Sequence, residues 1–402
     1  MNGNVEVVVV GGGYGGVTAA NRLARRDGVS VTLVNPRPEF VSRIRLHQLV
    51  TGSDDAVEGF GEVLGGDVRL VVDTATRIDA AGRRVSLAGG GTLSYDYLVY
   101  AVGSGAADPG VPGVPGAAEF AHWVSDFEGA GRLRSALDTA SASASVTVVG
   151  SGPTGLETAA ELAEAGREVT LVCGRVLGPS LHARVRRPVA RRLAELGVTV
   201  LEGAGARVTE VTRDAVQLDD GRSLPSAVTV WTAGFRVPDL AARSGLRTDA
   251  DGRLLTDTTP TSVDDERIVA AGDAAVMPDH PFRMSCQAAV QLGPAAADTI
   301  RRRIAGKTPA PVRMFFAGQS LSLGRNEGVT QFSYPNDKVN ALSISGRTGA
   351  GVKEIACRFT LNKLVSGARK ASSRGSHGDS GNRLETPQPE HPTTPHGTRR
   401  SA

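Results

Sequence analysis

One pattern occurs twice in this chain and constrains its fold more than any other feature. The pattern is a strand, a glycine-rich turn, a helix and a second strand. The opening strands are Val7–Val10 and Val146–Val149, each followed at once by a glycine-rich turn. An alanine-rich stretch comes next in both copies and stops near a glycine, which is typical of a helix end. The closing strands share the letters VTLV, at 31–34 and at 169–172. Such βαβ units predict two doubly wound α/β domains.

Both turns carry glycines with the spacing G-x-G-x-x-G. In the first copy, Gly11 permits a tight turn, Gly13 lets the backbone approach a pyrophosphate, and Gly16 allows close packing of helix and strand. The N-terminus of the following helix offers free N–H groups and a partial positive charge to phosphates. The two turns therefore predict two dinucleotide-binding sites, the second of them formed by Gly150, Gly152 and Gly155.

The acid that commonly holds the ribose at the end of the second strand is absent from both copies. Asn35 takes its place in the first copy and can still bond the ribose hydroxyls. In the second copy the position is Cys173, with Arg175 close behind. With no carboxylate to repel a 2′-phosphate and an arginine to pair with one, we expect NADPH as well as NADH to bind. The alternative is that Arg175 is a solvated loop residue.

The charge distribution argues against a nucleic-acid partner. The formal net charge is +3, but residues 351–370 carry +4 and residues 371–402 carry +1, which leaves −2 for everything else. A nucleic-acid-binding fold would need a basic patch. Two interpretations of the basic segment stay open: it rests on a membrane surface, or it packs on the protein with its lysines in water.

The three cysteines, Cys173, Cys286 and Cys357, are too widely spaced for a CxxC pair. Neither a metal site nor a redox-active dithiol is expected. No segment is apolar enough for a signal peptide or for a spanning helix of about 18 residues. These features predict a cytoplasmic protein in a reducing compartment.

Three further segments complete a pattern with the two glycine turns. Tyr95–Ser104 and Trp231–Gly234 follow the two βαβ units as buried strands that end at glycine turns, and Ala271–Asp273 precedes a helix predicted near Ser285. Together these motifs resemble the pyridine nucleotide–disulfide oxidoreductase superfamily of flavoproteins. The resemblance implies two Rossmann-like domains, one for FAD and one for NADH or NADPH, the second inserted into the first.

Two local matches narrow the resemblance, which covers about residues 5–365. Cys286–Gln291 is similar to the AQxAxQ quinone-site motif of type II NADH dehydrogenases, with cysteine in place of the first alanine. Leu321–Val329 resembles the C-terminal hairpin of the ferroptosis-suppressor branch of apoptosis-inducing-factor-like flavoproteins. Those relatives are NAD(P)H:quinone oxidoreductases with FAD. The resemblance implies a quinone acceptor, and it leaves open a homodimer and contact with the inner face of a membrane.

The resemblance also implies roles for individual residues. Glu157 matches the family's glutamate near the nicotinamide, and Gln287 and Gln291 would lie on one helix face beside the flavin. The alternative for the two glutamines is that their amides cap or line an ordinary helix. Arg45 and Val71 fall where relatives touch FAD, although the loop from 36 to 47 departs from both families. The other residues expected to bind the cofactors are Gly11, Gly13, Gly15, Gly16, Asn35, Ala101, Gly103, Gly150, Gly152, Gly155, Arg175, Gly234, Gly272 and Asp273.

The expected organisation has five segments. Residues 1–113 and 241–306 form the FAD-binding domain, and 114–240 form the NAD(P)H-binding domain. Residues 307–370 form a small C-terminal α+β region with a hairpin and a basic helix. The tail, 371–402, is rich in Ser, Gly, Pro and Thr and is expected to be disordered because it cannot bury a core.

With no dithiol to receive electrons, the sequence predicts an external acceptor. A quinone near Gln287 and Gln291 is the first candidate. The second is a ferredoxin-like or rubredoxin-like protein that takes electrons singly. The third interpretation is a non-catalytic flavoprotein that senses nicotinamide redox state.

Overall fold

The computed structural model describes residues 4–106, 114–278 and 282–373. The α-helices of these ranges are α1 (Tyr14–Leu23), α2 (Leu46–Thr51), α3 (Phe60–Val63), α4 (Ala117–Phe120), α5 (Phe127–Thr139), α6 (Pro153–Glu164), α7 (Ala183–Glu195), α8 (Leu240–Arg243), α9 (Cys286–Ile304) and α10 (Gly346–Ser372).

The first βαβ unit forms the centre of a five-stranded parallel sheet. Its strands have β-branched residues buried on both faces, as a sheet covered by helices requires. Across the sheet the strands run in the order Ile268–Ala270, Tyr97–Tyr100, Val5–Val10, Val29–Asn35 and Val68–Val72.

The second βαβ unit forms a second five-stranded parallel sheet with the same logic. The strands run in the order Ala121–Trp123, Val228–Trp231, Ser145–Val149, Glu168–Val172 and Thr199–Leu201. The first sheet takes its strands from both ends of this stretch, so the second sheet is inserted within the first. The predicted α/β class with two Rossmann-like domains is confirmed.

The two crossings between these sheets run side by side. Gly105–Ala106, leaving the first sheet, pairs antiparallel with Phe235–Arg236, which returns from the second. The small antiparallel sheets elsewhere are formed by Ala75–Asp79, Arg84–Leu87 and Thr92–Ser94, by Val208–Val211, Ala215–Leu218 and Ser223–Pro225, and by Glu39–Val41 with Val57–Gly59; Leu254–Leu255 and Ala275–Val276 form a parallel pair.

The C-terminal region contains the predicted hairpin and one strand more. Gly318–Ser322 and Gly328–Ser333 pair antiparallel, and Val339–Ser345 adds a third strand that leads into α10. Ahead of this sheet, α9 begins where expected, since the Ser285 hydroxyl accepts a hydrogen bond from the Ala288 N–H. The N-cap satisfies a free donor of the first turn.

Helix α10 runs past the boundary that the sequence suggested. Ala371 is fully buried, and the Ser372 hydroxyl accepts a hydrogen bond from the Gly66 N–H at 2.9 Å. The predicted start of a disordered tail at residue 371 is therefore too early, because these residues pack on the first domain. The rest of that prediction, from residue 374 onward, lies outside the described residues.

Candidate functional site

The first glycine turn is built as its spacing predicts. Gly11 has φ +105°, and a Cβ there would collide with the Ala101 carbonyl. Gly16 packs so closely that a Cβ would overlap the Gly11 carbonyl oxygen. At Gly13, the N-cap of α1, a Cβ would instead meet no atom within 4 Å. The turn is tightly packed at Gly11 and Gly16, where backbone segments touch. It is open at Gly13, where a pyrophosphate would approach the helix N-terminus.

A second loop closes against this turn from the far end of the chain. Gly272 has φ +70°, and its backbone N would lie 3.2 Å from a Cβ on Gly15. The next residue, Asp273, accepts hydrogen bonds from the Ser104 hydroxyl at 2.7 Å and from the Ser285 N–H at 2.9 Å. One carboxylate thus connects the ends of two adjacent strands with the N-terminus of α9.

The arginine that adjoins this loop is Arg43 and not Arg45. Arg43 lies 3.7 Å from the Asp273 carboxylate and donates to the Ser104 hydroxyl at 3.1 Å. It also adjoins Gly103, which has φ +71°. Arg45 points elsewhere and pairs with Glu354 of α10 at 2.8 Å. The two arginines lie on a 3₁₀ turn, Arg43–Arg45, so a shift of two residues changes which side a side chain faces.

Asn35 and Val71 lie at the carboxyl edge of the first sheet. The Asn35 Oδ1 accepts a hydrogen bond from the Gly12 N–H at 2.9 Å, and its Nδ2 donates to the Arg37 carbonyl at 2.8 Å. This amide fixes the glycine turn from inside the chain. Val71 pairs in register with Val34 on the edge strand.

The second glycine turn repeats the first. Gly150 has φ +105°, and a Cβ on Gly155 would overlap the Gly150 carbonyl oxygen. Gly152, the N-cap of α6, and Gly234, with φ +82°, would each carry a Cβ with no atom within 4 Å. Both turns fit the phosphates of a dinucleotide, because they combine a helix N-terminus with space for an approaching anion.

An acid that the sequence did not reveal lies near the predicted ribose position of the second copy. Cys173 directly follows the strand Glu168–Val172, and Arg175 is exposed just beyond it. The next strand ends at Leu201, and Glu202 follows; its carboxylate accepts a hydrogen bond from the Leu177 N–H at 2.6 Å. Burial, and the Glu202 charge nearby, raise the pKa of the Cys173 thiol to about 11.

Glu157 lies in a buried polar cluster that joins four parts of the chain. Its Oε1 accepts hydrogen bonds from the Ser322 N–H at 3.0 Å and the Ser322 hydroxyl at 3.2 Å. The Lys353 ammonium of α10 lies 2.8 Å from the same carboxylate, and both side chains are mostly buried, at 14% and 9% exposure. The His47 Nε2 lies 3.0 Å from the Ser322 hydroxyl.

Glu157 and Lys353 keep each other charged although both are buried. Burial alone would neutralise both partners, but the Lys353 ammonium holds the pKa of Glu157 below its usual value. In return, Glu157 holds the pKa of Lys353 above its usual value despite burial. Burial lowers the pKa of His47 to about 4, so its ring is neutral at pH 7. At neutral pH the cluster is a buried ion pair beside a neutral imidazole.

The next turn of α6 forms a second link to the hairpin. Glu161 pairs with Arg325 at 2.6 Å and accepts a hydrogen bond from the Ser53 hydroxyl at 2.7 Å. Glu164, further along the same face, is bonded by the Arg325 backbone N–H. One face of α6 is thereby tied to the loop that joins the first two strands of the C-terminal sheet.

Gln287 and Gln291 lie one turn apart on α9, as predicted, but neither amide is free. Gln291 donates to the Phe315 carbonyl at 2.9 Å and accepts from the Phe315 N–H at 3.0 Å. With its amide oriented to satisfy both neighbours, Gln287 donates to the Gly318 carbonyl at 3.2 Å and accepts from the Ala317 N–H at 3.0 Å. Both side chains hold the extended segment 315–318 against α9.

Four residues that the sequence did not single out lie beside the predicted ones in the structure: Lys353, His47, Arg43 and Glu202. In the sequence Lys353 belongs to the basic segment 351–370, and no local signal marks it as buried. The only available hint was its position on the helix, four residues before Cys357, which belongs to the apolar stripe that packs on the protein. Among the described residues, no group of His, Cys, Asp and Glu is placed to hold a metal ion.

Comparisons with known proteins agree with this geometry. The family model of pyridine nucleotide-disulphide oxidoreductases matches residues 5–293. An NADH dehydrogenase-like protein of Mycobacterium tuberculosis is 34% identical over 318 residues, which are 72% of this chain and 78% of that protein. The type II NADH:quinone oxidoreductase Ndh of the same organism is 29% identical over 374 residues, 81% of this chain and 79% of that one.

A solved structure shares the fold over nearly the whole chain. NDH2 from Plasmodium falciparum, in complex with NADH, superposes with a TM-score of 0.75 at 16% identity, covering 91% of this chain and 98% of that one. The chain therefore belongs to the pyridine nucleotide-disulphide oxidoreductase family and is an oxidoreductase that uses FAD with a nicotinamide dinucleotide.

Proposed function

We propose that this protein is an NAD(P)H:quinone oxidoreductase. The observation that carries the proposal is the buried Glu157–Lys353 ion pair, held between α6 and α10 at the edge of the second glycine turn. The motif around Gln287 and Gln291 and the named activity of one relative support the same acceptor class.

The residues of the first turn would hold FAD, with Gly13 at its pyrophosphate and the loop of Gly103, Gly272 and Asp273 closing over it. When bound, FAD supplies the ability to take hydride from a nicotinamide and to release the electrons to another acceptor. The protein's part is to position the donor and the acceptor and to control water and protons.

The ion pair can supply the additional proton that reduction of a quinone requires. A hydride carries two electrons and one proton, whereas reduction of a quinone to a quinol takes two electrons and two protons. The second proton must come from the protein or from solvent. Lys353 bears a proton in a mostly buried place, and Glu157 keeps it charged there. We infer that this pair, with Ser322 and His47, passes that proton to the reduced quinone and takes up another from solvent before the next turnover.

Gln287 and Gln291 act in this proposal as positioning residues. Each makes a two-bond bridge to the backbone of 315–318. The bridges fix one wall beside the N-terminal half of α9, where the acceptor is proposed to bind. The side chain of Phe315 is 59% exposed and offers an apolar surface to a planar ring.

The thiols are unsuited to act as the acceptor. All three cysteines are free, and burial raises the pKa of Cys286 to about 11. A thiol with such a pKa is protonated at pH 7 and is a poor nucleophile. An external acceptor is therefore required.

A steady-state assay separates the three kinds of acceptor. Purified, flavin-loaded protein is supplied with NADH and, in parallel, with a soluble quinone, an iron–sulfur protein or no acceptor. We expect fast turnover with the quinone. Slow turnover that is rescued by the iron–sulfur protein would point to a ferredoxin-type reductase, and turnover with neither would point to a redox sensor.

We also propose that both nicotinamide dinucleotides are accepted. Arg175 is exposed two residues after Cys173 and makes no side-chain hydrogen bond or ion pair with another described residue that would keep it from a 2′-phosphate, while Glu202 is already bonded to the Leu177 N–H. Cys173→Glu should shift the preference toward NADH by placing a carboxylate at the strand end. A wild-type preference for NADH beyond about a hundredfold, roughly 2.7 kcal/mol, contradicts the proposal.

The surface of α10 suits contact with the membrane in which quinones dissolve. The stripe of Cys357, Leu364 and Ala368 is buried against the protein, whereas Ile355 and Phe359 are each 68% exposed. None of the described helices is long and apolar enough to span a membrane. We propose that the Ile355 and Phe359 stripe touches the bilayer surface without crossing it.

A further inference from the structure

A cavity lies between α9, α10 and the segment that follows α9, and it extends from Gln291 of the proposed acceptor wall to the far end of α9. Its volume is about 740 Å³, within the range of ligand pockets. It lies at the end of α1 opposite to the Gly13 turn, since Arg26, just beyond that helix, is part of its lining. Of the charged residues that line it, six are cationic and one is acidic: Arg26, Arg301, Arg302, Lys307, Arg313, Lys363 and Asp298.

A smaller cavity continues the first one. It has a volume of about 440 Å³ and shares Pro294 and Lys363 with its neighbour. Its charged lining residues are all cationic: Arg22, Arg25, Lys363 and Lys370. We call the two cavities together the cationic cleft.

Asp298, the one acid among the described residues that line the cleft, is already neutralised. Both oxygens of Asp298 accept hydrogen bonds from Arg22, at 2.7 and 2.6 Å. Arg301 approaches the same carboxylate only to 3.7 Å. Asp298 therefore offers no further negative charge to the other cations of the larger cavity.

Guanidinium groups are crowded here and have donors to spare. The Nε atoms of Arg26 and Arg301 are buried and have no hydrogen-bond partner within the described residues. Burial lowers the pKa of Arg25, and the neighbouring charges of Arg22 and Arg301 lower it further. Like charges held this close together are stabilised by an anion that binds between them.

The chemistry of the lining defines the ligand. Guanidinium groups match the tetrahedral oxygens of phosphate with two parallel hydrogen bonds, and they do so better than lysine. One carboxylate would balance only one of the surplus charges. Val290, Pro294 and Val312 add an apolar wall to the larger cavity. We propose that the cationic cleft binds a phosphomonoester or pyrophosphate group that carries at least two negative charges.

The test uses the flavin-loaded full chain and pyrophosphate as the probe, at constant ionic strength. Lys307 and Arg313 line the cavity and are exposed, and their side chains make no hydrogen bond or ion pair in the described part of the chain. Lys307→Gln/Arg313→Gln should therefore leave the fold intact. The matched control is Arg184→Gln/Arg187→Gln, which removes two exposed charges from α7.

Calorimetry should detect saturable pyrophosphate binding to the wild type and to the control, weakened at least tenfold in the Lys307/Arg313 variant. Co-sedimentation with phosphatidic acid vesicles then identifies the source of the group. Weaker sedimentation of the variant than of the control identifies a lipid headgroup; equal sedimentation identifies a soluble phosphate compound. Equal pyrophosphate affinity in all three proteins, or no saturable binding to any, would overturn the proposal whatever the quinone assay gives.

Discussion

Gly13 is the residue at which the fit of FAD can be tested most cleanly. Its backbone has an ordinary φ of −79°, and a side chain there would enter empty space. Gly13→Val should therefore leave the fold unchanged and block the pyrophosphate. We expect a purified variant that melts like the apoprotein and has lost the flavin absorbance.

The control for this change is Gly131→Val in α5, where a Cβ also meets no atom within 4 Å. It should retain the flavin. A Gly13→Val protein that is as yellow as the wild type would show that the turn does not hold the cofactor.

Removing only one partner of the Glu157–Lys353 pair should lower the free energy of unfolding strongly. Lys353→Met leaves the Glu157 carboxylate buried without its counter-charge, which costs about 3–5 kcal/mol in the free energy of unfolding. The double variant Glu157→Gln/Lys353→Met removes both charges and should recover most of that loss. Urea unfolding of the three proteins measures both effects, and equal losses in the single and double variants would refute the coupling.

His47 predicts a loss of stability in mild acid. Burial, and the charges of Lys353, Arg325 and Arg45, lower its pKa to about 4, although Glu157 acts against them. Between pH 6.5 and 4, His47 is protonated in the unfolded chain but stays neutral in the folded protein. The free energy of unfolding therefore decreases as the pH is lowered through this range. The shift corresponds to roughly 3 kcal/mol, with no further loss from this group below pH 4. Urea unfolding of wild type and His47→Gln between pH 4.5 and 7 should show a shallower slope in the variant; parallel slopes contradict the assignment.

For single residues, the sequence predicted the roles that depend on neighbours in the chain. It did not predict the roles that depend on residues far away in sequence. The roles of Gly11, Gly13 and Gly16 follow from their spacing alone. The burial of Lys353 depends on Glu157, which lies in another domain, and the choice of Arg43 over Arg45 depends on the phase of a short turn.

At the scale of elements, α10 has two apolar stripes with different environments. One is buried, and the other exposes Ile355 and Phe359. The sequence showed both stripes and could not tell which would be covered, because the covering surface comes from α1, α3 and the C-terminal sheet. Truncation before α10 would remove Lys353 and buried Leu364, so it cannot test membrane contact without damaging the fold.

Two substitutions on the exposed stripe test membrane contact instead. Ile355→Ser/Phe359→Ser should reduce co-sedimentation with quinone-containing liposomes several-fold and leave thermal stability within about 1 kcal/mol, as for surface changes. Val72→Ser/Val263→Ser changes two exposed apolar residues elsewhere and is the control. Equal liposome binding by both variants would show that α10 does not make the membrane contact.

At the scale of the molecule, the C-terminal region connects the two sheets. Its first strand supplies Ser322 to Glu157, the following loop supplies Arg325 to Glu161, and α10 supplies Lys353. The parallel sheets were predictable because each βαβ unit is contiguous in sequence. The way the C-terminal region closes on them was not predictable, because its apolar, hydrogen-bonded and ionic contacts all join residues that are far apart in sequence.

The central claim is that electrons from a nicotinamide leave this protein on a quinone. A stopped-flow experiment tests it directly: flavin-loaded protein is mixed with one equivalent of NADH without oxygen, and then with a soluble quinone. We expect the flavin absorbance to bleach on the first mixing and to return on the second at a rate on the order of 10 per second or faster. Absorbance that bleaches with NADH and stays bleached in the presence of excess quinone would contradict the account.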